Sequence, residues 1–212
     1  MVGIAFRHDG TLDRIVGDAV AVMFSAPVLQ PDHAARAVAC ALEMDEFAQG
    51  FAAEKRASGI PLGATRIGVH SGPVIVGNVG GRNVLDYRPL GDAINTAARL
   101  ESLNKHLGTR VCVSGETARL CPGFTGRPVG TLVLKGKTEG VEVLEPLTRD
   151  EAAMPCVAAY LAAFRLLEAH DAGAHEAFLA LSREAPDDPL VAFHLARLER
   201  GETGTLVVMG EK

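Results

Sequence analysis

Two side chains four positions apart, Asn95 and Arg99, carry the first suggestion of chemistry in this sequence. If the segment around them is helical, they project from one face, one turn above the other. An amide beside a guanidinium on a rigid element suits an oxyanion or a phosphate in transfer. On spacing alone, the commoner reading of such a pair is two solvated surface residues. A second candidate is Asp18, which follows Gly17 between Leu12, Ile15 and Val16 on one side and the run AVAVMF on the other. Gly-Asp in that place is an ordinary two-residue hairpin turn. It would also thrust a carboxylate out at the tip of two strands, where a hard cation bridging phosphate oxygens could be held.

The surrounding pattern predicts the elements that would position these groups. Val84, Leu85 and Tyr87 are strand formers, and Pro89 and Gly91 punctuate a turn. From Asp92 the period becomes helical, with Ile94, Ala97, Ala98 and Leu100 on one face and Gly108 where a C′ residue would sit. Residues 4–24 read as a hairpin. Pro31 and Asp32 open a long helix whose expected buried face is Ala35, Val38, Ala39, Leu42, Phe47 and Phe51, ended by Gly59-Ile60-Pro61. His33 near its start reads as a capping or packing residue. Residues 65–79 read as two strands joined at Ser71-Gly72-Pro73, with Arg66 at the start and His70 as a satisfied structural histidine.

Farther on, RVCVS is a short strand, Ser114 begins a short helix or turn, and FTGRPVGTLVLKGK is a strand pair closed by GVEVLEPL. Lys135 and Lys137 flank Gly136, which by itself is a solvated turn. Residues 146–155 are polar and charged and mark a domain boundary at about 148. The remainder is helical by period, with a break at Pro186-Asp187-Asp188-Pro189.

Bulk properties narrow the function. The 212 residues have room for one ordinary domain and a smaller one, and 48% hydrophobic content suffices for a core. A net charge of −5 gives no broad basic surface for nucleic acid, and no apolar run approaches a membrane span. Cys40, Cys112, Cys121 and Cys156 show no ligand spacing and read as buried reduced thiols, consistent with a cytoplasmic protein.

The run GDAINTAARLE resembles the signature helix of class III nucleotide cyclases, the adenylate and guanylate cyclases. The resemblance extends upstream through LDRIVGDAVAVMFSAP, PDHAARAVACALEM and RIGVHSGPVIVGNVG, and downstream to TRVCVSGET and LVLKGK, over about residues 8–147. Its details look closest to bacterial adenylate cyclases. It implies an α+β fold, a ferredoxin-like βαββαβ catalytic domain over residues 1–148, truncated at its N-terminus. A tetratricopeptide-like helical extension over 149–212 would follow.

The same resemblance implies conversion of ATP to 3′,5′-cyclic AMP and pyrophosphate for intracellular signalling, dependent on Mg²⁺ or Mn²⁺. Asp18 would hold metal, Arg66 the phosphates, Asn95 the ribose, Arg99 the pentavalent transition state and Lys135 the outer phosphates. Two such sites would form across a head-to-tail homodimer, and the helical tail is expected to pack on the cyclase domain or to bind a protein partner.

The chain departs from the family pattern in two respects. No counterpart of the family's first metal aspartate occurs in MVGIAFRH, so an incomplete chain is expected, and a catalytically incomplete regulatory module is the alternative. At the two base-recognition positions stand Arg14 and Arg88, which do not match the donor–acceptor pair adenine needs and leave a guanylate cyclase open.

Overall fold

The computed structural model describes residues 1–81, 84–133 and 139–208. A short helix α1 (Val2–Arg7) leads into the hairpin β1 (Thr11–Val16) and β2 (Ala19–Met23), followed by the long helix α2 (His33–Ala57). The centre of the chain is β3 (Ile67–Val69), the hairpin β4 (Ile75–Gly81) and β5 (Val84–Leu90), and helix α3 (Asp92–Leu107). Next come β6 (Val111–Ser114), the short α4 (Gly115–Arg119), and the antiparallel pair β7 (Gly126–Val133) and β8 (Gly140–Pro146). The rest is helical: α5 (Arg149–Ala152), α6 (Pro155–Glu168), α7 (Ala174–Glu184) and α8 (Pro189–Glu199), closed by β9 (Leu206–Val208).

Five strands make one mixed sheet in the order β3-β6-β8-β7-β9, while β1–β2 and β4–β5 are separate hairpins. β3 pairs with β6 and β7 with β9 in parallel; the remaining pairs are antiparallel. The fold is α+β, as the family resemblance implies. Helix ends follow local chemistry. Gly108 takes φ +75 and stops α3 in the left-handed conformation that a side chain resists. Asp188 caps α8 by accepting from the amides of Leu190 and Val191, with Pro189 in the first turn.

Three sequence readings are corrected. The hairpin expected over 4–24 begins only at Thr11, because Val2–Arg7 is a helix whose Ile4 and Ala5 pack on Cys40 and Met44 of α2. The buried face of α2 is built on Ala34, Val38, Ala41 and Met44, whereas Phe47 and Phe51 are 49% and 43% exposed and stack on one another. Apolar residues occur on several faces of that helix, so period alone does not set its phase. The small residues win the inward face because α2 must approach Val111 and Val113 of β6 closely. Finally, FTGRPVGTLVLKGK, read as a strand pair, holds a single strand, β7, within its described residues, paired with β8.

The largest core cluster crosses residue 148. It joins Leu100, Leu103 and Leu107 of α3 and Val129, Leu132 and Val143 of the sheet to Tyr160, Phe178 and Leu190 of the C-terminal helices. β9 is an element the sequence pattern did not predict. Arg197 draws it in by donating from Nη2 to the carbonyls of Gly204 and Leu206, and Gly130 at φ +135 leaves room for the Thr205 carbonyl.

Candidate active site

α3 lies on β3 backbone against backbone. A Cβ on Gly68 would stand 2.2 Å from the Ala97 carbonyl oxygen, so only glycine permits this approach. Asn104 Nδ2 donates to the Ile67 carbonyl at 3.0 Å, and a Cβ on Gly72 would meet Ala93 at 3.0 Å. The strand therefore runs antiparallel to the helix, with Ile67 beside its C-terminal half and Gly72 beside its first turn.

On this helix Thr96 and Leu100 face inward, while Asn95 is exposed and Arg99 half-buried. Arg99 Nη1 is buried and has no hydrogen-bond partner among the described residues. A buried guanidinium N–H without an acceptor costs its full desolvation. The group it lacks is an acceptor, and an anion best of all.

Asp18 is exposed at the two-residue turn where Val16 pairs with Ala19, and Gly17 takes φ +62. Arg66, exposed, immediately precedes β3 and so sits by the C-terminal half of α3. Asn95 is nine residues from Asn104, roughly 13 Å along the helix. One copy of the chain thus does not bring Arg66 to Asn95. Lys135 lies outside the described residues.

Arg14 and Arg88, the residues expected at the base, are each paired with a neighbouring carboxylate. Arg14 Nε donates to Asp13 Oδ2 at 2.6 Å, and Arg88 Nε donates to Asp86 Oδ2 at 2.6 Å. The Asp13 side chain is 3% exposed, and its Oδ1 is buried without a partner among the described residues. Each position therefore presents a donor with an acceptor beside it rather than a bare cation.

Among the described residues no group of three or more His, Cys, Asp or Glu side chains is placed to hold a metal. Asp18, the expected metal ligand, is not part of any such group among the described residues. His70 keeps a structural role, its Nδ1 2.8 Å from Ser114 Oγ. Burial pushes the thiols of Cys40 and Cys112 up to about 11 and about 12, so both are inert thiols in the core.

The sequence reading missed Asn104. It is 1% exposed, donates to the carbonyls of Ile67 and Leu100, and accepts from Thr109 Oγ1 at 2.7 Å and Cys112 Sγ at 3.2 Å. Its signal was there: a polar residue one turn on from Leu100, on the helix face read as apolar.

The chain is 41% identical over 143 residues to Adenylate cyclase 1 of Rhizobium meliloti (strain 1021), covering 67% of this chain and 22% of that protein. It is 32% identical over 141 residues to the adenylate cyclase of Anabaena cylindrica, covering 64% of this chain and 28% of that one. The chain thus spans less than a third of either relative. Among solved structures, the adenylyl cyclase CyaB from P. aeruginosa superposes with a TM-score of 0.63 at 30% identity, over 71% of this chain and 78% of that one. The guanylate cyclase domain of RhGC from Catenaria anguillulae, in complex with GTP, gives 0.58 at 32% identity over 70% and 78%. The profile described as the adenylate and guanylate cyclase catalytic domain matches residues 7–145, more than half the chain, and the chain belongs to that family.

Proposed function

We propose that this chain is the catalytic part of a cytoplasmic adenylate cyclase, forming 3′,5′-cyclic AMP and pyrophosphate from ATP at the interface of a homodimer. The observation that carries this reading is the buried Nη1 of Arg99, without a partner among the described residues and one turn from an exposed Asn95 on a helix fixed to the sheet. In the reaction the ribose 3′-oxygen attacks the α-phosphorus, the 3′-hydroxyl loses its proton, and the bond to the bridging oxygen of pyrophosphate breaks. Charge develops on the α-phosphate oxygens, where Arg99 would donate, while Asn95 holds the ribose. Arg66 and Lys135 would bind the outer phosphates, and Arg14 and Arg88 would face the base.

A head-to-tail dimer would bring Arg66 of one copy toward Asn95 of the other, two groups that lie toward opposite ends of the α3–β3 contact in a single copy. The hairpins also expose Ile15, Val16, Ile75 and Leu90 at 57%, 64%, 77% and 50%, apolar surface that suits a second copy. A divalent cation, Mg²⁺ or Mn²⁺, would neutralise phosphate charge, with Asp18 as one ligand.

The lone carboxylate favours a second reading, in which this copy lends Asn95 and Arg99 to another subunit and lacks activity of its own. The two readings separate in one experiment. Cyclic AMP and cyclic GMP formation from ATP and GTP is measured with Mg²⁺ or Mn²⁺ for the chain in its full reading frame. Asp18→Ala and Arg99→Ala each abolish activity, and mixing them restores part of it, because one of the two interface sites is then intact. An active chain indifferent to Arg99→Ala refutes the first reading, and a dimer that is inactive alone yet rescues an Arg99-deficient cyclase establishes the second.

A further inference from the structure

Residues 155–208 lie beyond the family match, which ends at 145, yet they complete the core of the matched part. They meet the catalytic portion at three joints. Beyond the β7–β9 pairing, these three involve side chains. At the first, the Asp188 carboxylate takes both terminal nitrogens of Arg127 on β7, with Nη2 at 3.0 Å. The same carboxylate caps α8 at the amides of Leu190, 3.0 Å, and Val191, 3.2 Å, while Arg127 Nε reaches Glu145 on β8 at 2.5 Å. At the second, a Cβ on Gly108 would stand 2.7 Å from Pro189 Cβ, so the first turn of α8 rests on the end of α3. At the third, the Tyr160 hydroxyl on α6 donates to the Pro128 carbonyl at 2.7 Å.

Between these joints the apolar packing is continuous. Leu103 and Leu107 of α3, 3% and 2% exposed, share a cluster with Leu190 and Val191 of α8. Leu100, adjacent to Arg99, belongs to the same cluster and is fully buried. The helix presenting Asn95 and Arg99 is therefore held by β3 along one side and by α8 at its far end. Helices move as rigid rods, and displacements of about 1 Å can cost a reaction 100-fold.

We propose that residues 155–208 are a positioning element of the catalytic domain, with Asp188 and Pro189 fixing α3 and so the places of Asn95 and Arg99. The kinetic consequence rests on the cyclase reading; the mechanical coupling does not. The test uses the full chain carrying Asp188→Asn, which keeps a good cap on α8 but removes the charge facing Arg127. Pro189→Gly, which removes the side chain resting on Gly108 without altering α3 itself, is the independent second variant.

Amide hydrogen exchange in α3 is expected to quicken by about tenfold in both variants while α2 and β6 stay as they were. In parallel kcat falls roughly tenfold with KM within about twofold, the mark of a lost transition-state interaction. Asp188→Glu recovers part of both. Unchanged exchange in α3 overturns the proposal, as does a uniform rise in exchange across the whole chain with kcat and KM moving together, which marks simple loss of stability. If the parent chain makes no cyclic nucleotide, the cyclase reading fails, and the exchange of α3 still decides the coupling.

Discussion

A Cβ placed on Gly68 would stand 2.3 Å from the amide nitrogen of Glu101, so β3 and α3 touch through their backbones. No rotamer relieves such a contact, because both partners are main chain. Gly68→Ala must push α3 outward, and overpacking of this kind costs at least about 2 kcal/mol. Denaturant unfolding of the parent and the variant checks the stability loss, and the displaced Arg99 should lower the cyclase rate as well.

Arg99 is expected to behave in the opposite way. Its Nη1 has no partner to lose among the described residues, so Arg99→Ala should change unfolding free energy by less than about 1 kcal/mol. The cyclisation rate should fall by about 100- to 1000-fold, as when one preorganised donor is removed. A large rate loss on an unchanged unfolding curve identifies a group kept for the reaction.

Asn104 serves the fold alone. Replacing it by Ala removes one donor from the Ile67 carbonyl and leaves Thr109 Oγ1 and Cys112 Sγ without their amide acceptor in the core. A cost of about 3 kcal/mol is expected, read from the denaturation midpoint.

His194 is fully buried against Tyr160, Phe164 and Phe178, with its Nε2 3.1 Å from the Tyr160 hydroxyl. Burial first, then the charges of Arg197 and Arg127, lower its pKa to about 3, and Asp188 opposes them. The unfolded histidine takes a proton near pH 6.5, so stability is lost as pH falls from there toward about 3. At pH 5 the loss is about 2 kcal/mol. Buried Glu145 acts in the contrary direction, since burial raises its pKa against the pull of Arg127. His194→Phe leaves Glu145 in place and removes the histidine contribution. Unfolding at pH 7 and pH 5 should show the parent losing about 2 kcal/mol more than the variant.

Base choice should respond to Arg88, whose guanidinium is tied to Asp86 on β5. An arginine with a carboxylate beside it offers guanine a donor for its oxygen and an acceptor for its N–H groups. Arg88→Thr should raise the ratio of kcat/KM for ATP over GTP by roughly tenfold, measured in competition.

Local chemistry made much of this chain legible. The Gly17-Asp18 turn, the start of α3 at Asp92 and its stop at Gly108 each depend on a few neighbouring residues, and each stands where the pattern put it. The order and spacing of the cyclase motifs likewise needed no coordinates. Which face of α2 turns inward was not legible, because Phe47 and Ala41 weigh alike in a periodic pattern and only the nearness of β6 separates them. Asn104 went unread because its role depends on the turn that carries Thr109 and Cys112 back to it and on the Ile67 carbonyl of β3, 37 residues away. That the C-terminal helices pack on something was legible from their period, but that they share one core with α3 was decided by the fold. Burial and hydrogen bonding between distant segments are properties of the folded arrangement, and a linear pattern reports only the neighbours each residue has along the chain.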